Sequence, residues 1–297
     1  MLFVLPLDRQ FAYHFLENDC YGHASWIHDR IHLNENEIDI AFLGTSATIQ
    51  AIYEEAIENV LDSTYGQTPR LANLGYCRPG RNLHYILLEE LLSEKKVNTI
   101  ILEVREKEDR YSHPVFPNLA KREDVLKPVW MFNRDIASDW VNALLTRYAY
   151  RKQKFLHNLS LEYPVDTLLF GYGAGTRIAP EKELQEMLEK RREPKAELSQ
   201  WQKDFYAKYP KAYIEKIADL CEENEVKLVF LFLHFYGVQA EEPTELDYYN
   251  GLGEIWLPPK AIFEKPSNWM DPDHLNINGA NELAPWLASK IASMQGE

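Results

Sequence analysis

Three continuous apolar runs constrain this chain more than any other feature. Each of them stops just before a turn or a polar segment. Ile38 to Leu43 ends at Gly44, Val97 to Val104 ends at a charged stretch, and Val226 to Leu233 ends at a histidine. Runs of this length without polar alternation suit strands buried on both faces, the situation inside a parallel sheet covered by helices. Arg70 to Leu74 is a weaker fourth strand. Helical spacing appears between them. Ala47 to Leu61 places Ile49, Ile52, Ala56 and Val60 on one face. Leu83, Ile86, Leu87 and Leu91 repeat after Pro79. Trp201 to Glu223 carries Phe205, Tyr209, Tyr213, Ile217 and Leu220. Strand alternating with helix is the α/β pattern, with crossover helices over both sheet faces.

The 297 residues are enough for one large domain with an insertion. About 120 residues separate the second and third strong strands, far more than a crossover needs. Asp109 to Lys195 is therefore expected to be a helical insertion within a single domain covering residues 1–297. It holds a predicted helix from Asp135 to Asn158 and a Gly-rich stretch from Leu168 to Thr176. It forms either a cap over one end of the sheet or an added helical layer.

A formal charge of -14 argues against binding a phosphate backbone, which needs a basic stripe, and against docking on anionic lipid. The apolar start, Met1 to Leu7, is too short to span a bilayer. It lacks a basic flank before it and a small-residue cleavage site after it. It is either the stump of a longer anchor or a first strand. The incomplete signal favours the cytoplasm. Cys20, Cys77 and Cys221 are far apart with no CxxC pair, so no metal site is expected. The favoured expectation is three free thiols, with one bridge such as Cys20 to Cys77 as the alternative.

Two short motifs carry chemistry. Phe42-Leu-Gly-Thr-Ser46 ends a strand and precedes a helix. That turn lies at the carboxyl edge of an open sheet, where ligands bind. Thr and Ser there are also ordinary N-caps. Asp271-Pro-Asp-His274 lies near the C-terminus. A serine nucleophile needs a base, and the base needs a carboxylate to fix its tautomer. Asp271 three residues before His274 can fold back onto the ring. Beyond it, Ala280, Leu283, Ala284, Leu287 and Ile291 fall at helical spacing, with Asn278 as a candidate N-cap and Pro285 as an interruption.

The order Ser46, Asp271, His274, with the last pair just before the final helix, resembles the SGNH (GDSL-like) hydrolase superfamily. The resemblance covers roughly residues 38–104 and 226–294. It implies a flavodoxin-like three-layer α/β/α fold with a mainly parallel sheet, a Ser46–His274–Asp271 triad and no cofactor. A second motif of that family, supplying an oxyanion Gly, matches Asn73-Leu-Gly75, but the expected Gly falls on Arg78. Gly75 or the Arg78 backbone is then the candidate donor, and the Arg78 guanidinium a candidate substrate contact. The third motif, Gly-x-Asn-Asp, is missing. Glu103 ends that strand instead, and Arg105 or Lys107 is the candidate cationic donor. A strand ending in Glu resembles a branch of bacterial cell-envelope acyl transferase and esterase domains, which favours the cell envelope if the N-terminus was trimmed. His234, at the end of the third strong strand, is a candidate pocket residue. His113, Tyr111 and Phe116 are weaker candidates from the insertion.

The resulting expectation is a serine-dependent acyl ester hydrolase or O-acyl transferase, acting on a carbohydrate or small ester. The alternatives are a non-catalytic envelope binding module on the same fold and a phosphate- or nucleotide-binding protein using the Gly44–Ser46 turn. No Gly-Lys-Ser/Thr follows that turn, as a phosphate loop would require.

Overall fold

A computed structural model describes residues 7–106, 108–121, 124–125, 132–157, 170–171, 173, 175–192 and 198–294. The central sheet has five parallel strands: β1 (Ile40–Leu43), β2 (Leu71–Asn73), β3 (Thr99–Glu103), β4 (Lys227–Leu231) and β5 (Glu254–Trp256). Their spatial order is β2-β1-β3-β4-β5, the flavodoxin-like order with its switch point between β1 and β3. Before and between the first three strands lie α1 (Arg9–His14), α2 (His23–His32), α3 (Ser46–Ala51), α4 (Glu54–Val60) and α5 (Arg81–Glu94). The insertion contributes α6 (Phe116–Leu119), α7 (Ile136–His157) and α8 (Glu181–Arg192). The C-terminal part adds α9 (Gln200–Glu223), α10 (Leu246–Asn250), α11 (Lys260–Phe263) and α12 (Ile277–Met294). A separate antiparallel hairpin, β6 (Trp269–Asp271) and β7 (His274–Leu275), precedes α12.

Strand alternation sorts the apolar side chains into two cores. Ile40, Phe42, Ile101, Val229 and Leu231 point to one face and pack with residues of α3, α4, α11 and α12. Ala41, Leu43, Ile100, Leu102, Leu228 and Phe230 point to the other and pack with α1, α2, α5 and α9. Both faces are therefore helix-covered, which is why the strands read as uninterrupted apolar runs. Val115, Phe116, Leu119 and Ala143 of the insertion join the second core, so α6 and α7 thicken the layer on that face. The Gly-rich stretch runs elsewhere: the Gly173 amide donates to the Ile49 carbonyl and the Gly175 amide to Gln50 Oε1, laying it along α3. Leu168, Leu169, Asn158 and the start from Met1 to Pro6 fall outside the described residues.

The structure differs from the sequence expectations at several elements. The helix expected over Ala47 to Leu61 is two helices, because Ile52 and Tyr53 are extended, with ψ of 96° and 90°. Asn73 causes the break. Its Nδ2 donates to the carbonyls of Thr48, Ile49 and Ile52 at 3.1, 3.3 and 2.9 Å, satisfying groups that a longer helix would have used. Asn278 lies inside α12, and Asn276 is the cap: its Oδ1 accepts from the amides of Asn278 and Gly279 at 2.9 and 3.2 Å. Pro285 is accommodated within α12. The short β5 carries only three residues and has no apolar run to announce it.

Cysteine pairing also corrects the favoured expectation. Cys20 and Cys77 form a disulfide across a separation of 57 residues, and Cys221 is free and buried. The bridge ties the loop after β2 to the segment before α2. Among the described residues no helix is long and apolar enough to cross a membrane. Closing a loop of this length stabilises the fold by about 4 kcal/mol in the chain-entropy model. Replacing Cys20 and Cys77 together by Ser is expected to lower the free energy of unfolding in urea by about 2–4 kcal/mol. An unchanged denaturation midpoint in the double variant and in reduced wild type would count against a structural bridge.

Candidate active site

The turn after β1 is built around a glycine with no spare room. A Cβ on Gly44 would lie 1.9 Å from Thr48 Oγ1 and 2.5 Å from Glu103 Oε2. Thr45 follows in extended conformation and is the N-cap of α3: its Oγ1 accepts from the Ala47 amide at 3.1 Å. Ser46 is thus the first helical residue and not the cap. Its hydroxyl is left for other partners, and its amide, in the first turn, has no intrahelical acceptor.

The other half of the site is the β6–β7 hairpin. Asp271 and His274 pair directly across it, with Pro272 and Asp273 forming the turn. Trp269 is fully buried and its indole donates to the Phe263 carbonyl at 2.9 Å, which anchors the hairpin to the core. The Asn276 amide donates to the Asn268 carbonyl, and the Tyr236 amide to the Pro272 carbonyl. The carboxylate of Asp271 accepts from the amides of Asp273 and His274 at 2.8 and 3.1 Å. His274 Nδ1 lies 2.8 Å and 2.9 Å from the two Asp271 oxygens, and His274 Nε2 lies 2.7 Å from Ser46 Oγ. Burial raises the Asp271 pKa, but the hydrogen bonds from the His274 ring and the two amides outweigh it and hold the carboxyl below its ordinary value. An ionised Asp271 can only accept, so in a neutral imidazole the ring proton belongs on Nδ1 and Nε2 accepts from the Ser46 hydroxyl.

Ser46, Asp271 and His274 are therefore brought into one hydrogen-bonded line. The remaining candidates have other partners. The Gly75 amide donates to Asn73 Oδ1 at 3.2 Å. Arg78 has φ of 70°, a left-handed conformation that favours glycine, at the place where the resemblance led us to expect one. Its guanidinium pairs with Asp19 and does not simply face solvent. Arg105 lies 3.4 Å from Glu103 Oε1 and stacks 4.5 Å above the Phe235 ring. His234 is buried between Phe232 and Phe263, with ring centroids 4.8 and 4.9 Å away. Burial, the largest cause, lowers its pKa. The ring is thus enclosed by aromatic neighbours and only 3 % exposed. His113 is fully buried and donates to the Cys77 carbonyl at 2.7 Å, Phe116 lies in the core, and Tyr111 stacks under Arg134. Lys107 lies outside the described residues. Among the described residues no group of three or more His, Cys, Asp or Glu is arranged to hold a metal ion.

Two supporting residues were not legible as such. Asn73 ends α3 and orients Gly75, as above. Glu54, fully buried, accepts at Oε1 from the Asn73 amide at 2.9 Å and the Gly171 amide at 2.8 Å. It thereby joins the end of β2 to the Gly-rich stretch beside α3. Burial pushes its pKa up to about 7 against the amides of Gly171, Asn73 and Glu54 itself, which lower it, and Glu58 raises it further. The start Asn-Leu-Gly hinted at Asn73. Nothing local marked Glu54, whose partners lie 19 and 117 positions away.

No protein-family model matches the chain, and no curated protein matches it either. A hydroxyl on a tight turn, an imidazole that can take its proton and an ionised carboxylate behind that imidazole make a set able to run nucleophilic acyl transfer.

The Glu54 pKa of about 7 in the fold exceeds the ordinary value of 4.5. Its contribution to stability is thus complete below about pH 4.5 and is lost as pH rises to about 7. Glu54→Gln, lacking this titration, is expected to gain on the order of 2–3 kcal/mol relative to wild type between pH 5 and pH 8. Urea unfolding of both proteins across that range checks it, and parallel pH profiles would refute it.

Proposed function

We propose that the protein is a serine-dependent acyl ester hydrolase or O-acyl transferase, acting on a carbohydrate or small ester through an acyl-Ser46 intermediate. The observation that carries this is the continuous contact from Ser46 Oγ to His274 Nε2 at 2.7 Å and from His274 Nδ1 to Asp271 at 2.8 Å. Its position supports the same reading. Ser46 follows β1 beside the switch point of a 2-1-3-4-5 sheet, and the Asp-x-x-His hairpin precedes the last helix. Both features suit a divergent SGNH-type enzyme.

In this mechanism His274 Nε2 takes the Ser46 proton as Oγ attacks the ester carbonyl carbon. Asp271 stabilises the imidazolium that forms. The tetrahedral oxyanion is met by the Ser46 amide, and the Arg78 amide is the second candidate donor. His274 returns the proton to the leaving alcohol as the C–O bond breaks. Water or an acceptor hydroxyl then gives its proton to His274 and attacks the acyl-serine, and as the acyl–Oγ bond breaks His274 returns that proton to Ser46 Oγ. The Cys20–Cys77 bridge supports a chain that works in an oxidising compartment, in line with a cell-envelope role.

A second reading, a non-catalytic binding module, has one observation in its favour: Gly75, Arg78 and Arg105 spend their polar groups on Asn73, Asp19 and Glu103, which thins the set of oxyanion donors. A fluorophosphonate probe separates the two. Wild type is expected to label at Ser46, and Ser46→Ala is expected not to label. Asp271→Asn, which disturbs the tautomer, is expected to lower kcat on p-nitrophenyl esters by roughly 10³–10⁴-fold. Equal turnover in wild type and Ser46→Ala would eliminate the acyl-serine route.

A further inference from the structure

The carboxylate of Glu103 is 2 % exposed and ends β3 directly beneath the nucleophile turn. Its Oε2 accepts from the Thr45 amide at 2.6 Å, the Thr45 hydroxyl at 3.0 Å and the Thr48 hydroxyl at 2.6 Å. Oε1 lies 3.2 Å from the Thr45 hydroxyl and 3.4 Å from the Arg105 guanidinium. These contacts bracket Ser46 on both sides in sequence. We propose that Glu103, with Arg105 as its counter-ion, is the positioning residue that aims Ser46 at His274, an inference that rests on the acyl-serine reading above.

The physical reason lies in a competition at the helix start. Thr45 and Ser46 are both able to cap α3. A Ser46 hydroxyl turned toward the helix amides would be lost to His274. Glu103 removes that option: it takes the Thr45 amide and the Thr45 hydroxyl proton, leaving the Thr45 oxygen lone pair on the Ala47 amide. The Thr48 hydroxyl fixes the next turn on the same carboxylate. Gly44 lets that carboxylate come close, since any Cβ there would collide with it. Charge balance is also handled locally. A lone carboxylate near a developing oxyanion would oppose it, and Arg105, stacked on Phe235, offsets that field. Glu103 touches neither substrate nor the reacting atoms, so its action runs through the Ser46 direction.

Thr48→Val, Thr48→Ser, Glu103→Gln and Glu103→Ala test this on the full chain, with the thermal midpoint of each variant as a fold control. Misplacing a nucleophile by about 1 Å costs on the order of 10²-fold in rate, so Glu103→Ala is expected to lower kcat and the labelling rate by about that factor with KM little changed. Thr48→Val, close in volume but without the hydroxyl, is expected to lower kcat by about tenfold, one tenth of that penalty. Thr48→Ser, which restores the donor, is expected to return kcat to near wild type. Amide exchange over residues 44–48 should quicken in Glu103→Gln and Thr48→Val and not in Thr48→Ser. If wild type labels and Thr48→Val and Glu103→Gln label equally fast, the positioning role is wrong while the acyl reading stands. A fall in kcat matched by an equal rise in KM, with exchange unchanged, also overturns it. If wild type itself fails to label, the acyl reading fails and takes the catalytic role of Glu103 with it.

Discussion

The site depends on one buried carboxylate meeting a turn that has no side chain in the way. Glu103 reaches Thr45 and Thr48 only because position 44 is glycine and because β1 and β3 are paired in register, Leu43 beside Leu102. A buried carboxylate is costly unless its lone pairs are used. Here three donors and a guanidinium use them. The same contacts that make the burial tolerable also define the start of α3, so the core of the sheet and the Ser46–His274 contact at its edge share one set of hydrogen bonds.

Around that turn the chain is stapled from three directions. Asn73 closes the far end of α3. Glu54 gathers the Asn73 and Gly171 amides and so brings part of the insertion against the site. The Cys20–Cys77 bridge and the Asp19–Arg78 pair hold the loop after β2. Opposite, the β6–β7 hairpin carries Asp271 and His274 on a frame fixed by Trp269 and Asn276. Such support from packed and hydrogen-bonded neighbours is what keeps a catalytic constellation within reach of its working geometry.

Much of this was legible locally. The apolar runs located β1, β3 and β4, because strands buried on both faces cannot alternate. The Asp271–His274 spacing is a property of one short turn, so the pairing within it could be anticipated from the residues alone. What was not legible depended on distant partners. The end of α3 at Ala51 is decided by Asn73, 21 to 25 residues along the chain. Arg78 and Arg105 looked available as donors until Asp19 and Glu103 were seen to hold them. His234 sits at the correct edge of the sheet, yet two aromatic rings enclose it.

The α/β alternation, the turn after the first strand and the Asp-x-x-His unit are written in the chain, since each follows from periodicity or from spacing of a few residues. Which residue of Thr45-Ser46 caps the helix and which faces the imidazole is fixed only once the chain has folded. That choice is made by Glu103, 58 positions from Thr45, and by His274, 228 positions from Ser46. Hydrogen-bond competition at a helix start is settled by whichever acceptor the fold brings within 3 Å or so, and no local pattern records it.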